Sequence, residues 1–338
     1  MRWLLLLCLV WGRAWAAPGE ASAPSPHAID IPRWFAESFL DIREDIRDAT
    51  REKKRLLVYF GQDGCPYCKA LMKVNFGQPD IVAKTRAHFV PIALNIWGDR
   101  EVTWIDGRKV SEKELARILR VQYTPTLLFL DEQGAVVLRL NGYLPPEKFR
   151  PALDYVSGRR DRLQTFADYQ AGLAPEKPGA RLARQPFFER GTPDLRRALA
   201  SSGKPAVVLF ERTSCHDCAE MHREGFTRAE VRSLISAFKV LQVNALGSGP
   251  VVTGEGRSAT ERDWARTLQI VNTPTLVFFD AAGREVFRVE GYVRPFHLAS
   301  ALDYVASGAY RGEPSFQRFV QARADALRAV GAEVDLWK

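Results

Sequence analysis

The sequence predicts an α/β protein made of two tandem copies of one unit, each a mixed sheet covered on both faces by helices. Three observations predict it. The second half repeats the first at a nearly constant offset. Each copy alternates apolar runs of strand length with longer stretches of helical periodicity. A chain of 338 residues, 46% hydrophobic and 26% charged, has a globular composition and a length suited to two domains of roughly 150 residues each.

The repeat defines the unit before any motif is consulted. Cys65 corresponds to Cys215, an offset of 150. Further on the offset is 149, pairing Ser111 with Thr260, Pro125 with Pro274, Gly142-Tyr143 with Gly291-Tyr292, and Asp154-Tyr155-Val156 with Asp303-Tyr304-Val305. One residue has been lost in between. Phe166 and Tyr169 are echoed by Phe316 and Phe319, which places a helical tail on each copy. The first unit is expected over residues 30–171 and the second over 187–338. Between them, 172–186 carries Gly and Pro with no apolar periodicity and reads as a linker.

Within copy one, Ser38 to Lys53 has helical periodicity. Leu56 to Phe60 is an apolar run of strand character, Gly61 to Gly64 a turn, and the cysteine pair opens the next helix. Phe89 to Leu94 is the following strand. Asp106-Gly107 marks a tight turn between two short segments. Ser111-Glu112-Lys113-Glu114 forms a capping box, with Glu114 expected to reach back to Ser111, and opens a helix that ends near Val121. Thr126 to Leu130 and Val136 to Leu140, separated by a turn containing Gly134, read as a hairpin. A last helix runs from Pro145.

The amino terminus reads as an export signal. Arg2 precedes a short apolar run from Trp3 to Trp11, and Ala14-Trp15-Ala16 supplies a small-x-small cleavage pattern, so residues 1–16 are expected to be removed and 17–29 to form a disordered leader. No apolar run reaches the roughly 18 residues a membrane span requires, which leaves no transmembrane anchor after cleavage. A lipidated Cys8 is the alternative, but Leu9, Val10 and Trp11 continue the apolar run beyond it. The formal charge of +8 is dispersed among acids rather than gathered in a block, so nucleic acid is not an indicated partner.

Of five cysteines, four remain after cleavage, and all four stand in two Cys-x-x-Cys pairs, Cys65/Cys68 and Cys215/Cys218. Such a pair at a helix start can close a disulfide, yet the loop it closes is very small and gains little as a structural staple. Its use is to be made and broken. The helix start favours the thiolate of the first cysteine, which makes Cys65 and Cys215 the expected nucleophiles and Cys68 and Cys218 the resolving thiols. A static disulfide or a metal site is the alternative. Cys215 and Cys218 with His222, four positions on, could ligate zinc, but Met72 stands at the matching place in copy one, so no metal is expected.

Thr124-Pro125-Thr126 and Thr273-Pro274-Thr275 each precede an apolar strand. Either proline could simply be trans at a strand entrance. A cis proline would instead turn the preceding backbone outward to pair with an extended peptide, which makes Thr124, Pro125, Thr273 and Pro274 candidate substrate-binding residues.

Gly64-Cys65-Pro66-Tyr67-Cys68, Tyr123-Thr124-Pro125-Thr126 and Gly142-Tyr143 resemble the thioredoxin superfamily, and more narrowly its exported SoxW-type thioredoxins. Asp99-Arg100-Glu101-Val102, Ser111 to Ala116 and Phe129-Leu130-Asp131 follow that group's order. The resemblance implies a tandem thioredoxin fold and dithiol–disulfide exchange with protein substrates. It implies cis peptides before Pro125 and Pro274 and no cofactor. It also implies a periplasmic setting tied to sulfur oxidation or cytochrome maturation, with a membrane or periplasmic thiol reductase as electron donor.

The chain also departs from that pattern. Gly64 and Ser214 stand where thioredoxins carry Trp, and Tyr59 and Leu209 occupy the place of a buried acid six residues before the first cysteine, so the proton acceptor is unassigned. Pro66 and Tyr67 are neutral. His216 favours the Cys215 thiolate if protonated and Asp217 opposes it, so the two reduction potentials are expected to diverge. Electrons could pass between the copies, or the two sites could act independently. An enzyme is the leading reading, and a peptide- or metal-binding protein without turnover is the alternative.

Overall fold

The structure is a computed structural model describing residues 29–173, 180–201 and 203–334. The expected signal, Cys8 and nearly all of the leader lie outside the described residues.

The first half runs α1 (Ile42–Arg51), β1 (Arg55–Gly61), α2 (Pro66–Ala70), a π-helical turn at Leu71–Asn75, α3 (Pro79–His88), β2 (Phe89–Asn95), β3 (Glu101–Thr103), β4 (Lys109–Ser111), α4 (Glu112–Ile118), β5 (Thr126–Leu130), β6 (Val136–Asn141), α5 (Pro146–Ser157) and α6 (Phe166–Leu173). The second half repeats it as α7 (Leu195–Ala200), β7 (Ala206–Glu211), α8 (His216–Glu220), a π-helical turn at Met221–Gly225, α9 (Ala229–Ile235), β8 (Lys239–Asn244), β9 (Pro250–Val252), β10 (Ser258–Thr260), α10 (Glu261–Thr267), β11 (Thr275–Phe279), β12 (Glu285–Glu290), α11 (Pro295–Ala306) and α12 (Phe316–Ala329).

Each half builds a four-stranded mixed sheet, β2-β1-β5-β6 and β8-β7-β11-β12. β1 pairs in parallel with β2 and antiparallel with β5, and β7 does the same with β8 and β11. β1 is buried along its whole length, so its successive side chains feed two cores. Leu57 and Tyr59 join Phe129, Phe149 and both cysteines on one face, while Leu56, Val58 and Phe60 pack with Leu94, Leu128 and Leu130 on the other. A fully apolar strand between two helical layers is what this burial requires.

Two local expectations are corrected. The first helix begins at Ile42 rather than Ser38, because Asp41 caps it through its carboxylate to the Arg43 and Glu44 N–H groups, and Leu40 just before it stands at φ 63°. Ser38 instead bonds the Asp45 carboxylate from outside the helix. In the capping box Ser111 does accept from the Glu114 N–H, but no bond returns from Glu114 among the described residues. The neighbouring Glu112 is the buried carboxylate, accepting from the Asn95 N–H and from Arg100. Its counterpart Glu261 accepts from the Asn244 N–H at the same 2.9 Å.

Residues 183–185, within the stretch read as a linker, are tied into the second half. The Ala183 carbonyl and the Arg184 guanidinium bond the Gln242 side chain on β8, and the Gln185 amide bonds the His222 ring. The halves also meet directly. Gln122 accepts from the Phe316 N–H and its amide donates to the Pro314 carbonyl. Tyr123 enters the second core against Phe287 and Phe316 and donates its hydroxyl hydrogen to the Arg288 carbonyl.

Candidate functional site

β1 ends at Gly61, and the chain turns through Gly64, at φ 71°, to place Cys65 as the N-cap of α2. A positive φ costs glycine nothing, so the turn falls there. Cys65 Sγ accepts from the Cys68 N–H at 3.2 Å and from the Thr124 hydroxyl at 3.3 Å, and its thiol lies 3.4 Å from the Thr124 carbonyl. Pro66 fills the first helical position, where a missing N–H is harmless. Cys68 is buried directly behind.

Burial opposes ionisation of Cys65, but the hydrogen bonds from the Cys68 thiol, the Thr124 hydroxyl and the Cys68 and Tyr67 N–H groups outweigh it and bring its pKa below the ordinary thiol value. Cys68 moves the other way. Burial, with the neighbouring Cys65 sulfur, pushes it well above. The pair is therefore asymmetric, with an ionisable outer sulfur and a protonated inner one. The Tyr59 hydroxyl faces Cys68, and burial keeps that hydroxyl protonated.

The second half repeats the placement. Cys215 caps α8, accepts from the Cys218 N–H at 3.1 Å, and lies 3.5 Å from both the hydroxyl and the carbonyl oxygen of Thr273. Here the sulfurs are joined, S–S 2.03 Å, whereas Cys65 and Cys68 are free. The peptide bonds before Pro125 and Pro274 are both cis. The Pro125 and Pro274 carbonyls accept from the N–H groups of Gly142 and Gly291, each at 2.8 Å.

The surroundings of the two pairs differ. Cys65 is 5% exposed, and Cys215 is half-buried beside an exposed His216. His216 lies 3.6 Å from Asp217, whose carboxylate is held by Lys148 of the first half. Tyr67 packs edge-on against His297 of the second half, ring centroids 5.8 Å apart, and burial pushes its pKa up to about 12. Thr124 accepts from the Gln62 amide, which in turn reaches Gln317 on α12. Thr273, its counterpart, accepts from Arg212 of its own half.

Sequence reasoning missed one buried group. Glu211, at the end of β7, bonds His222 Nε2 at 2.9 Å and Gln242 at 2.6 Å, while the other ring nitrogen of His222 meets Gln185. With both ring nitrogens bonded, His222 is spoken for within its own half. In the first half Gly61 and Met72 stand at these places. A Cβ on Gly61 would lie 2.0 Å from the Tyr59 hydroxyl, so tyrosine fills the space that the glutamate takes in the second half. Its signal was a lone acid closing the apolar run Ala206 to Phe210, four residues before Cys215 rather than six.

Comparison with known proteins now adds to this geometry. The sequence matches the family described as thioredoxin-like domain over residues 42–157 and again over 194–306, more than half of the chain. The chain belongs to the thioredoxin-like family. It is also similar to thiol:disulfide interchange protein DsbD of Tatumella citrea, 33% identical over 112 residues, and of Cronobacter sakazakii, 30% over 103 residues. These matches take 32% and 30% of this chain and only 18% and 16% of the relatives, so the chain spans under a fifth of their length. A thioredoxin-fold protein from Helicobacter pylori aligns over 40% of this chain and 88% of its own at 18% identity, TM-score 0.33. The thioredoxin-like match falls once on each half, in agreement with two mixed sheets of the same order. A narrower SoxW-type membership is not shown by these similarities. Among the described residues no helix is long and apolar enough to cross a membrane.

Proposed function

We propose that the protein is an exported thiol-disulfide oxidoreductase, working as a reductase of protein disulfides through two dithiol centres. The observation that carries this reading is the asymmetric Cys65/Cys68 pair. The Cys65 thiolate attacks a substrate disulfide to give a mixed disulfide and one substrate thiol. Cys68 then gives up its proton, attacks the Cys65 sulfur and releases the second thiol, leaving the Cys65–Cys68 disulfide. Cys215 and Cys218 play the same parts in the second half. Thr124 and Thr273 hold the outer sulfurs, and Pro125 and Pro274 shape the backbone that a substrate meets.

Similarity to DsbD proteins supports disulfide exchange with protein partners and re-reduction by a membrane or periplasmic thiol reductase. Export rests on the Arg2 to Ala16 pattern. A place in sulfur oxidation or cytochrome maturation rests on the SoxW-type resemblance alone. The test is insulin reduction with dithiothreitol, comparing the mature protein with its Cys65→Ser/Cys215→Ser variant. Loss of catalysed turnover in the variant supports the reading, and equal turnover leaves a binding protein.

A further inference from the structure

The Cys65 centre is nearly buried and faces a partly open cleft. It lies at the base of a cleft of about 500 Å³ between the halves, a volume suited to a small molecule. The first half contributes Gln62, Cys65, Tyr67 and Thr124. The second contributes Tyr292 and Val293 from the segment after β12, His297 from α11, and Gln317, Arg318 and Gln321 from α12. An extended polypeptide pairing with the backbone at Thr124 would have to displace that wall, which the Gln62–Gln317 bond and the Tyr67–His297 contact fasten in place. At the second centre, Thr273 and Cys215 are half-buried, whereas Cys65 is 5% exposed.

The cleft also holds a buried polar atom left unpaired among the described residues. Among the described residues His297 Nδ1 is buried without a hydrogen-bond partner, and the Tyr292 hydroxyl, also in the cleft wall, interacts with the Arg294 guanidinium. Leaving a buried polar atom unpaired is costly, so a paired state with a bound group is favoured. Burial lowers the His297 pKa to about 4, so near neutral pH the ring is an uncharged donor or acceptor.

We propose that this cleft binds a low-molecular-weight disulfide carrying hydrogen-bonding groups, and that the Cys65 centre reduces it while the Cys215 centre faces proteins. This assignment rests on the oxidoreductase reading above and replaces the protein disulfide of that reading with a small one at the Cys65 centre alone. The step balances without a further reactant. Cys65 thiolate and the disulfide RSSR give Cys65–S–S–R and RS⁻. Cys68, losing its proton to solvent or to RS⁻, closes the Cys65–Cys68 disulfide and releases a second RS⁻. Two electrons pass from the dithiol to RSSR.

The test uses the mature chain in two forms, Cys215→Ser/Cys218→Ser and Cys65→Ser/Cys68→Ser, each pre-reduced and freed of reductant. Single-turnover oxidation is followed by alkylation and mass spectrometry, with hydroxyethyl disulfide, cystine and insulin as oxidants. The ratio of small-disulfide rate to insulin rate is expected to be at least about tenfold higher for the Cys65 pair than for the Cys215 pair. Gln321→Trp, an exposed position at the cleft wall, should lower the small-disulfide rate at the Cys65 pair by a similar factor. His297→Phe should weaken the concentration dependence for cystine. Equal ratios at the two pairs, or a Gln321→Trp chain that reacts unchanged with every small disulfide, would overturn the assignment. If neither pair reacts with any disulfide, the oxidoreductase reading itself falls, and the two failures are thereby distinct.

Discussion

Asn141 and Glu290 occupy the same place in the two halves, at the ends of β6 and β12, and they are hydrogen-bonded to each other, Nδ2 to Oε2 at 3.0 Å. A contact between equivalent positions lies on a two-fold axis of an isologous interface. Two further contacts obey the same relation. Tyr67 meets His297, and Asp217 meets Lys148. Tyr67 and Asp217 are equivalent, as are Lys148 and His297. The halves therefore dock face to face about a pseudo-two-fold axis, and the helix start of each redox pair touches the long helix of the other half. The symmetry breaks in the side chains. α12 borders the cleft at Cys65 through Gln317 and Arg318, whereas its counterpart α6 reaches the second half through Asp168 and Arg266.

Loosening the axis should uncover Cys65. Glu290→Ala removes a carboxylate whose partners are Asn141 and Arg288, and a lost buried bond of this kind costs about 1–3 kcal/mol. The alkylation rate of Cys65 in the reduced protein should rise by about an order of magnitude, the factor that ~1.4 kcal/mol represents. Cys215 reactivity in the same sample serves as the internal control.

The Thr124 hydroxyl lowers the Cys65 pKa by donating to its sulfur. Thr124→Val removes that donor and should raise the pKa by about one unit, from the ~1.5–3 kcal/mol that a bond to a charged group contributes. The pH profile of iodoacetamide alkylation reads it directly. In the wild type the rate climbs as pH passes the lowered Cys65 value and then levels, and in the variant the climb moves to higher pH.

Tyr59 and Gly61 are one unit of packing. Gly61→Ala should destabilise the protein by about 1–3 kcal/mol through overpacking against the Tyr59 hydroxyl. Tyr59→Leu/Gly61→Ala, which imitates the room that Leu209 leaves in the second half, should recover most of it. Denaturant midpoints of the three chains check the coupling. Tyr59→Phe removes the hydroxyl that eases ionisation of Cys68, so mixed disulfide with Cys65 should persist longer during turnover.

Lys148 neutralises Asp217 beside the second centre. Both side chains are partly exposed, so the pair is worth at most ~1 kcal/mol. In the reduced protein Lys148→Ala should raise the Cys215 pKa by up to about half a unit, since the freed carboxylate then opposes the thiolate. Added salt should shrink the difference between the two chains.

Much of this was legible in the sequence, for identifiable reasons. β5 and the turn at Gly134 lie at the expected residues because an unbroken apolar run bounded by glycine has one good solution in a sheet buried on both faces. The repeat located both cysteine pairs and both Thr-Pro segments. Side chains that act across space were not legible. Tyr123 stands in the sequence as part of the Tyr-Thr-Pro-Thr resemblance, with no sign that it completes the second core. Glu290, at the end of edge strand β12, meets its own equivalent Asn141. The Glu211–His222 couple was hidden because its members stand eleven positions apart on different elements, and copy one holds no echo of it.

The central claim is that both cysteine pairs cycle between dithiol and disulfide within the folded chain. Equilibrating the mature protein across a broad series of glutathione and dithiothreitol buffers, then alkylating and weighing it, tests this most directly. The account predicts two separate two-electron transitions, one for Cys65/Cys68 and one for Cys215/Cys218, at different potentials. Neither pair changing state anywhere in the series would contradict it.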